Sequence, residues 1–451
     1  MELEEVKGQV LERTRPSEEE EQESRELFSR IQDFVEDEFG REAELVGSTA
    51  KGTFMSGDKD LDIFVFFDTS VSADELEEEG LEIGEAVFDE FDGGYDVEYA
   101  EHPYTKGDID GYEVEIVPAY RVDSGEDIKS SVDRTPFHRR WINENLSREE
   151  KEDVIVLKAF LRGRELYGST LKIQGFSGYL CELLVAEYGS FEQVLEAAVE
   201  WDRDQVIDPA DHHDSLPNHL RKKFSDEDLV VIDPVDPERN VASVLSNENY
   251  ARFIHSAWRF LEEPDMEFFF PPDREADREM MEANADERGD FLIVEFPTPD
   301  LMDDILYPQM RSLLSRLETL LRGDKFRVFH SGFHVGDEAT RIAFELFSRE
   351  LPSARKHRGP QVFHNTEHLE NFSSKYDDVW VEGERLVTIV EREHPDARQL
   401  LDDFLAGDLR EEGVPGNLVP SVEEAEITGL EFDGEDWRKF LRDEFHLEVE
   451  P

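Results

Sequence analysis

The stretch that most limits what this chain can fold into is residues 44–67. A short strand signal, Glu44-Leu45-Val46, leads into the small residues Gly47-Ser48-Thr49-Ala50-Lys51-Gly52. A loop then delivers Asp60-Leu61-Asp62 into the dense apolar run 61–67. That run has the length and composition of a buried strand. Side chains at i and i+2 share one strand face, about 6.6 Å apart along it, so Asp60 and Asp62 point the same way. Two carboxylates beside a buried run are costly unless a cation lies between them. Hard divalent ions take oxygen ligands, and Mg²⁺ typically uses one or two carboxylates together with substrate phosphates. Gly47 permits close backbone approach, and Ser48 offers a hydroxyl and an amide to a phosphate. An anion-binding turn joined to a metal-binding pair of acids suits a nucleoside triphosphate. A third acid is expected on a neighbouring strand. Glu113-Val114-Glu115-Ile116-Val117-Pro118 supplies it, with Glu113 and Glu115 on one face. Glu115, next to the apolar Ile116-Val117 pair, is the preferred ligand.

The rest of the chain can be laid out around this pair of strands. Ser17 and Glu20 form a capping box, after which Leu27, Phe28, Ile31, Phe34 and Val35 recur at helical spacing as far as Gly40. A helix over 73–91 and strands over 95–100 and 112–122 complete a mixed α/β region. Residues 134–260 read as mostly helical. Val154, Leu157 and Leu161 make one stripe; Leu180, Leu183 and Leu184 make another, closed by Gly189. Residues 202–236 are polar and weakly periodic. The run FFFPP at 268–272 marks a second shift, and the charged residues after it, to 288, suit a linker or an exposed helix. Beyond lie strand signals at 291–296, 326–335, 342–347, 379–381 and 386–390, with a helix over 305–321. Such an order suits a small sheet backed by helices. The expected fold class is α+β multidomain, divided as 1–140, 141–265 and 266–451.

Composition adds a constraint on environment. Against 48 Lys+Arg stand 111 Asp+Glu, a formal charge of −63. The acids run along the whole chain rather than forming a tail. Self-repulsion on this scale is tolerable where salt screens it, and at about 1 M ionic strength the Debye length is only about 3 Å. With 34 Arg and 14 Lys among the cations, the chain reads as adapted to a very salty cytoplasm. Adaptation to salt overprints the charge signal that would otherwise speak about partners. The 38% hydrophobic content, including 32 Phe, excludes global disorder. No run of about 20 apolar residues offers a membrane span. The acidic start MELEEVKGQV lacks the apolar core of a secretory signal, and the single Cys181 allows no internal disulfide.

The motifs GST, DKDLDIFVFF and VEIVP resemble the signature of the DNA polymerase beta-type nucleotidyltransferase superfamily. VDRTPFH, FSGYLCELLVAEYGSF and DPVDPERNVA narrow the resemblance to the archaeal (class I) tRNA CCA-adding enzymes, over nearly the whole chain. The resemblance implies a mixed-sheet nucleotidyltransferase palm domain at 1–140, a helical nucleotide-recognition domain at 141–265 and an α+β RNA-binding region at 266–451. Such enzymes add C, C and A to the tRNA 3′ end from CTP and ATP, without a nucleic-acid template. The 3′-hydroxyl attacks the α-phosphorus in line, pyrophosphate leaves, and two Mg²⁺ ions assist. By family position, Asp60, Asp62 and Glu115 are the metal carboxylates. Gly47, Ser48, Lys51, His138, Lys158 and Tyr167 fall on the nucleotide, and Arg239 with Asn240 on the base. The acceptor stem and T-arm of tRNA would lie on the C-terminal region, where Arg311, Arg316, Arg322, Arg327, Arg355, Lys356 and Arg358 are locally enriched. A homodimer is known among such enzymes.

Two positions depart from the family pattern. Glu115 stands where Asp is usual, one methylene longer. Lys51 stands where Arg is frequent, keeping a cation but losing the bidentate fork. The residues alone leave other readings open. A poly(A) polymerase or oligoadenylate synthetase would share the catalytic core, and an inactive RNA-binding relative would retain the fold.

Overall fold

The capping box at Ser17 forms as expected. The Glu20 amide donates to Ser17 Oγ at 3.2 Å and the Ser17 amide to Glu20 Oε2 at 2.8 Å. After α1 (Leu3–Thr14) this box starts α2 (Glu18–Phe39), which stops at Gly40 in the left-handed region. The structure, a computed structural model, describes residues 2–99, 102–122, 129–363 and 366–449. They fall into two compact units that part between Pro272 and Asp273, just after the FFFPP run.

In the first unit a sheet is built from β1 (Glu42–Leu45), β2 (Asp60–Phe67), β3 (Gly94–Tyr99), β4 (Pro103–Ile109) and β5 (Tyr112–Tyr120). Residue 100, expected to end the third strand, lies outside the described residues. Spatial order is β1-β2-β5-β4-β3, with β2 and β5 parallel and the other pairs antiparallel. Helix α3 (Gly47–Lys51) joins β1 to β2, and α4 (Ala73–Glu90) follows β2. The alternation in the sequence decides which face is buried. Leu61, Ile63, Val65, Phe67, Val114 and Ile116 pack on the Leu27/Ile31/Val35 stripe of α2 and on Ile83, Val87 and Phe88 of α4. The opposite face is apolar only towards the strand ends, where Phe64, Phe66, Val117 and Ala119 are closed over by Val46, Tyr104 and Val132. Nearer the strand starts that same face carries Asp60, Asp62, Glu113 and Glu115.

Strand β4 has no apolar alternation to announce it, because PYTKGDI is largely polar. The signal for it is Asp110-Gly111. Both residues have positive φ, at 55° and 79°, and Ile109 pairs with Tyr112 across them. This is the two-residue hairpin turn that Asp-Gly favours.

The helical part of this unit holds α5 (Thr135–Asn145), α6 (Arg148–Gly163), α7 (Gly178–Tyr188) and α8 (Phe191–Val199). The polar stretch resolves into β6 (Gln205–Ile207), α9 (Asn218–Lys223) and β7 (Leu229–Val231), with β6 and β7 parallel, before α10 (Asn247–Glu262). Phe160, Phe176, Phe191, Phe253 and Phe260 are fully buried together. Each contributes roughly 1.5–3 kcal/mol from burial.

The second unit runs α11 (Arg278–Glu287), β8 (Asp290–Pro297), α12 (Asp303–Gly323), β9 (Val328–Val335), β10 (Ala339–Leu346), β11 (Ala354–Gln361), α13 (Thr366–Lys375), β12 (Trp380–Glu382), β13 (Arg385–Glu391), α14 (Ala397–Ala406), α15 (Val419–Val422), β14 (Glu426–Thr428) and α16 (Glu435–Asp443). Its main sheet is ordered β14-β8-β10-β9, and a smaller one β11-β13-β12. The expected helix and strands appear; the polar strand β11 is an addition that the sequence pattern does not signal. Several cations of the basic cluster are engaged within the unit. Arg316 pairs with Glu412 at 2.9 Å, Lys356 with Glu382 at 2.6 Å, and Arg327 lies 4.0 Å over the Phe347 ring.

Among the described residues no helix is long and apolar enough to cross a membrane. The charge of −63 carries its own consequence. Raising KCl from about 0.2 M to about 2 M should raise the melting temperature by about 10 °C or more, followed by circular dichroism, because screening relieves self-repulsion.

Candidate active site

Strand pairing places the acids. Asp60 lies opposite Glu113 and Asp62 opposite Glu115 in the parallel β2–β5 register, so all four share the uncovered sheet face. Neighbouring β4 puts Lys106 opposite Glu115. Its ammonium reaches Glu113 Oε1 at 2.7 Å and Glu115 Oε1 at 2.9 Å. The excess of carboxylates is felt most at Asp62, whose carboxyl is pushed up to about 6 by burial first, then by Glu115 and Asp60, against Lys51 and Lys106. Asp60 is also raised, by burial, then by Asp58 and Glu113. Sequence reasoning misses Lys106 because it misses the strand that carries it.

The turn before β2 is shaped around Asp62. The Val46 amide donates to the Asp62 carbonyl at 2.9 Å and Thr49 Oγ1 to the Asp60 carbonyl at 2.9 Å. Gly47 has φ +65°, and a Cβ there would fall 1.7 Å from Asp62 Oδ2. Gly47→Ala should therefore cost about 2–4 kcal/mol of stability, from left-handed strain and displacement of the carboxylate. Urea unfolding in molar KCl measures it; a variant as stable as wild type would show that the turn has room to spare.

Among the described residues, no group of three acidic, histidine or cysteine side chains has the arrangement to hold one metal ion. Glu115 is drawn to Lys106 in this conformation. The donor set nonetheless fits a hard cation. Four carboxylates share one face with Lys106 between two of them, and Asp62 is held back from ionising. Asp60, Asp62 and Glu115 are the carboxylates that would hold such a cation.

Behind the turn lies a buried charged cluster. Lys51 Nζ donates to Glu182 Oε2 at 2.5 Å, and Thr53 Oγ1 donates to Glu182 Oε1 at 2.5 Å. Lys158 is 1% exposed, and its ammonium donates to the Thr53 carbonyl at 2.8 Å. It is therefore no surface lysine lying along the protein. Burial lowers its pKa, with Glu182 opposing. Gly178, at the start of α7, brings the backbone close to Tyr167 Oη and Lys158 Nζ. Tyr167 packs under Arg162, which pairs with Asp58 at 3.1 Å.

A third group joins the second through Tyr179. The Tyr179 ring lies 5.5 Å from Lys51 Nζ and stacks on His138 at 4.2 Å between centroids. His138, from α5, lies 3.0 Å from Asp233 Oδ2, to which Arg239 Nη1 donates at 2.8 Å. Tyr179 Oη donates to Asp233 Oδ1 at 3.1 Å. Burial lowers the His138 pKa; Asp233 is held well below the usual carboxylate range because hydrogen bonds and charge from His138, with further bonds, outweigh its burial. Asn240 stands apart. It is buried, its Oδ1 accepts from the Val231 and Ala242 amides, and its Nδ2 donates to the Leu229 carbonyl and Glu227. That leaves it bracing the loop that bears Arg239.

Glu182, Asp233 and Tyr179 tie these groups together, and sequence reasoning does not single them out. An acid set among Cys181, Leu183 and Leu184 is the available signal for Glu182, since an acid inside an apolar run is buried only with a partner.

A mixed sheet with acids at the starts of β2 and β5, a glycine turn against one of them and buried cations behind it defines the class as a nucleotidyltransferase. Residues 28–138 match the family model described as nucleotidyltransferase domain. Residues 152–270 match tRNA nucleotidyltransferase, second domain, and 288–413 match CCA-adding enzyme, C-terminal domain. The chain is 39% identical to a CCA-adding enzyme of Methanocaldococcus jannaschii, over 93% of this chain and 94% of that one. Against one of Methanosarcina acetivorans it is 36% identical over 97% and 98%, and against one of Haloarcula marismortui 41% over 78% of each. The chain belongs to the archaeal CCA-adding enzymes, a family of tRNA nucleotidyltransferases.

Proposed function

We propose that this enzyme builds and repairs the 3′-terminal CCA of tRNA from CTP and ATP by two-metal nucleotidyl transfer. The observation that carries the reading is the register of β2 against β5, which sets Asp60, Asp62 and Glu115 on one face beside the Gly47 turn. Two Mg²⁺ ions held by these carboxylates would stabilise charge on the attacking 3′-oxygen and on the departing pyrophosphate. The new bond joins the 3′-oxygen to the α-phosphorus, and the bond from that phosphorus to the bridging oxygen of pyrophosphate breaks. The chain's own groups supply position and countercharge. Gly47 and Ser48 approach the triphosphate by backbone and hydroxyl. Lys51, Lys158 and Tyr167 form its basic and hydrogen-bonding wall, and His138 borders it. Arg239 reads the base through its free guanidinium edge, on a loop braced by Asn240.

In this reading residues 1–140 are the catalytic domain, 141–265 the nucleotide-recognition domain and 266–451 the grip on the acceptor stem and T-arm. The enzyme works in the cytoplasm. The test is incorporation of labelled CTP and ATP, but not UTP or GTP, onto tRNA ending at the discriminator base, in molar KCl with Mg²⁺. Addition that stops after C, C and A supports the proposal. An open-ended tail identifies a polymerase instead, and tRNA binding with no pyrophosphate release identifies an inactive relative.

A further inference from the structure

Asp233 is the point where the base-facing and phosphate-facing sides of the site meet, and it heads the DPVDPERNVA motif without any of the roles assigned so far. It is 0% exposed. Its Oδ2 accepts from Arg239 Nη1 at 2.8 Å and lies 3.0 Å from His138 Nε2; its Oδ1 accepts from Tyr179 Oη at 3.1 Å and the Val235 amide at 2.9 Å. Those partners come from α5, from α7 and from the loop after β7. The loop is closed on itself, with the Asp233 amide donating to the Arg239 carbonyl at 3.1 Å. A carboxylate that served the fold alone could be satisfied by backbone amides. This one uses a single amide, and its remaining contacts are the side chains of His138, Tyr179 and Arg239, two of them placed on the nucleotide in the reading above.

We infer that Asp233 is a positioning residue that locks Arg239 and His138 into one preformed nucleotide reader. The inference rests on the nucleotide roles proposed above for those two residues. Arg239 is fixed by one guanidinium nitrogen, which leaves its other N–H groups to a base edge without the entropy loss of ordering a free side chain on binding. His138 is held by the same oxygen and by its stack on Tyr179, so displacement of either partner disturbs the other.

Asp233→Asn isolates this function. The Val235 amide requires an acceptor, so the carboxamide oxygen stays with it and keeps the Tyr179 hydroxyl as well. Its NH₂ then faces the donating Arg239 and repels it. The experiment measures Kd for CTP and for ATP by calorimetry, and kcat and KM with tRNA lacking CCA. It covers wild type, Asp233→Asn, Arg239→Ala and the double variant. Asp233→Asn should weaken both nucleotides by about 10-fold or more through Kd and KM, with kcat within about 3-fold, and the loss in the double variant should fall well short of the product of the two single losses. Wild-type affinity in Asp233→Asn, or losses that multiply in the double variant, overturns the inference. If Asp233→Asn fails to fold, the cycle on His138→Ala and Arg239→Ala, which leaves the carboxylate intact, decides it: non-additive losses support a shared anchor, and multiplying losses refute it. Wild type that binds both nucleotides yet transfers neither would remove the proposed function while leaving this binding cycle readable.

Discussion

Asp62→Asn should abolish nucleotidyl transfer, by about 1,000-fold or more, while making the protein more stable in EDTA at about pH 7.5. The two effects share a cause. Burial, Glu115 and Asp60 push the Asp62 carboxyl up to about 6, from an ordinary value of 3.8. The folded chain therefore holds this proton more tightly than the unfolded chain does. The associated stability is complete below about pH 4 and is lost as pH rises through about 6. At neutral pH the ionised carboxylate costs the fold about 2 kcal/mol after allowance for screening. Asparagine removes the charge and keeps the shape. The variant should melt about 2–4 °C above wild type at about pH 7.5 in EDTA, and its advantage should vanish by about pH 4. Mg²⁺ with CTP should raise the wild-type melting temperature and leave the variant's unchanged. Retained transfer would overturn the metal assignment. A variant less stable than wild type at neutral pH would show that Asp62 is not held under electrostatic strain.

Glu182→Ala should be the most damaging single substitution to the fold outside the apolar cores. Glu182 is 0% exposed and neutralises Lys51 at 2.5 Å, with the buried Lys158 a further ammonium beside Thr53. Its removal leaves two buried ammonium groups without a carboxylate. Breaking a buried pair from one side typically costs about 3–5 kcal/mol. Glu182→Gln keeps an acceptor for Thr53 and should lose less, about 1–3 kcal/mol. Urea unfolding in molar KCl would show this order. Part of the Ala deficit should be recovered as pH rises into the alkaline range, because burial lowers the Lys158 pKa and that ammonium sheds its proton early. A loss below about 1 kcal/mol for Glu182→Ala would mean that the lysines find other partners.

Much of this is legible in the sequence because the catalytic sheet obeys its own alternation. β2 and β5 carry apolar runs headed by acids, and a two-residue period alone puts those acids on one face. Helix α2 announces itself by its cap and its stripe. What stays hidden is chemistry carried by segments with no period. β4 is stabilised by its neighbours rather than by its own residues, so its sequence does not place Lys106 against Glu115. Asp233 lies in a polar stretch whose short strands β6 and β7 gain their stability from pairing. Lys158 sits beside an apolar stripe, a position that suits a surface lysine equally well, yet it is enclosed; sequence spacing does not show what covers the polar side of a helix. The resemblance directs attention to Arg239 and Asn240, but only the hydrogen bonds separate a side chain with free donors from one wholly engaged by the loop beneath it.

The most direct test of the account is a crystal of the enzyme grown with CTP and Mn²⁺, and the anomalous density it yields. The account predicts metal peaks bounded by Asp60, Asp62 and Glu115, with Glu115 released from Lys106 and the triphosphate beside the Gly47 turn. Peaks elsewhere, or a bound nucleotide with Glu115 still paired to Lys106 and no metal among the three acids, would contradict it.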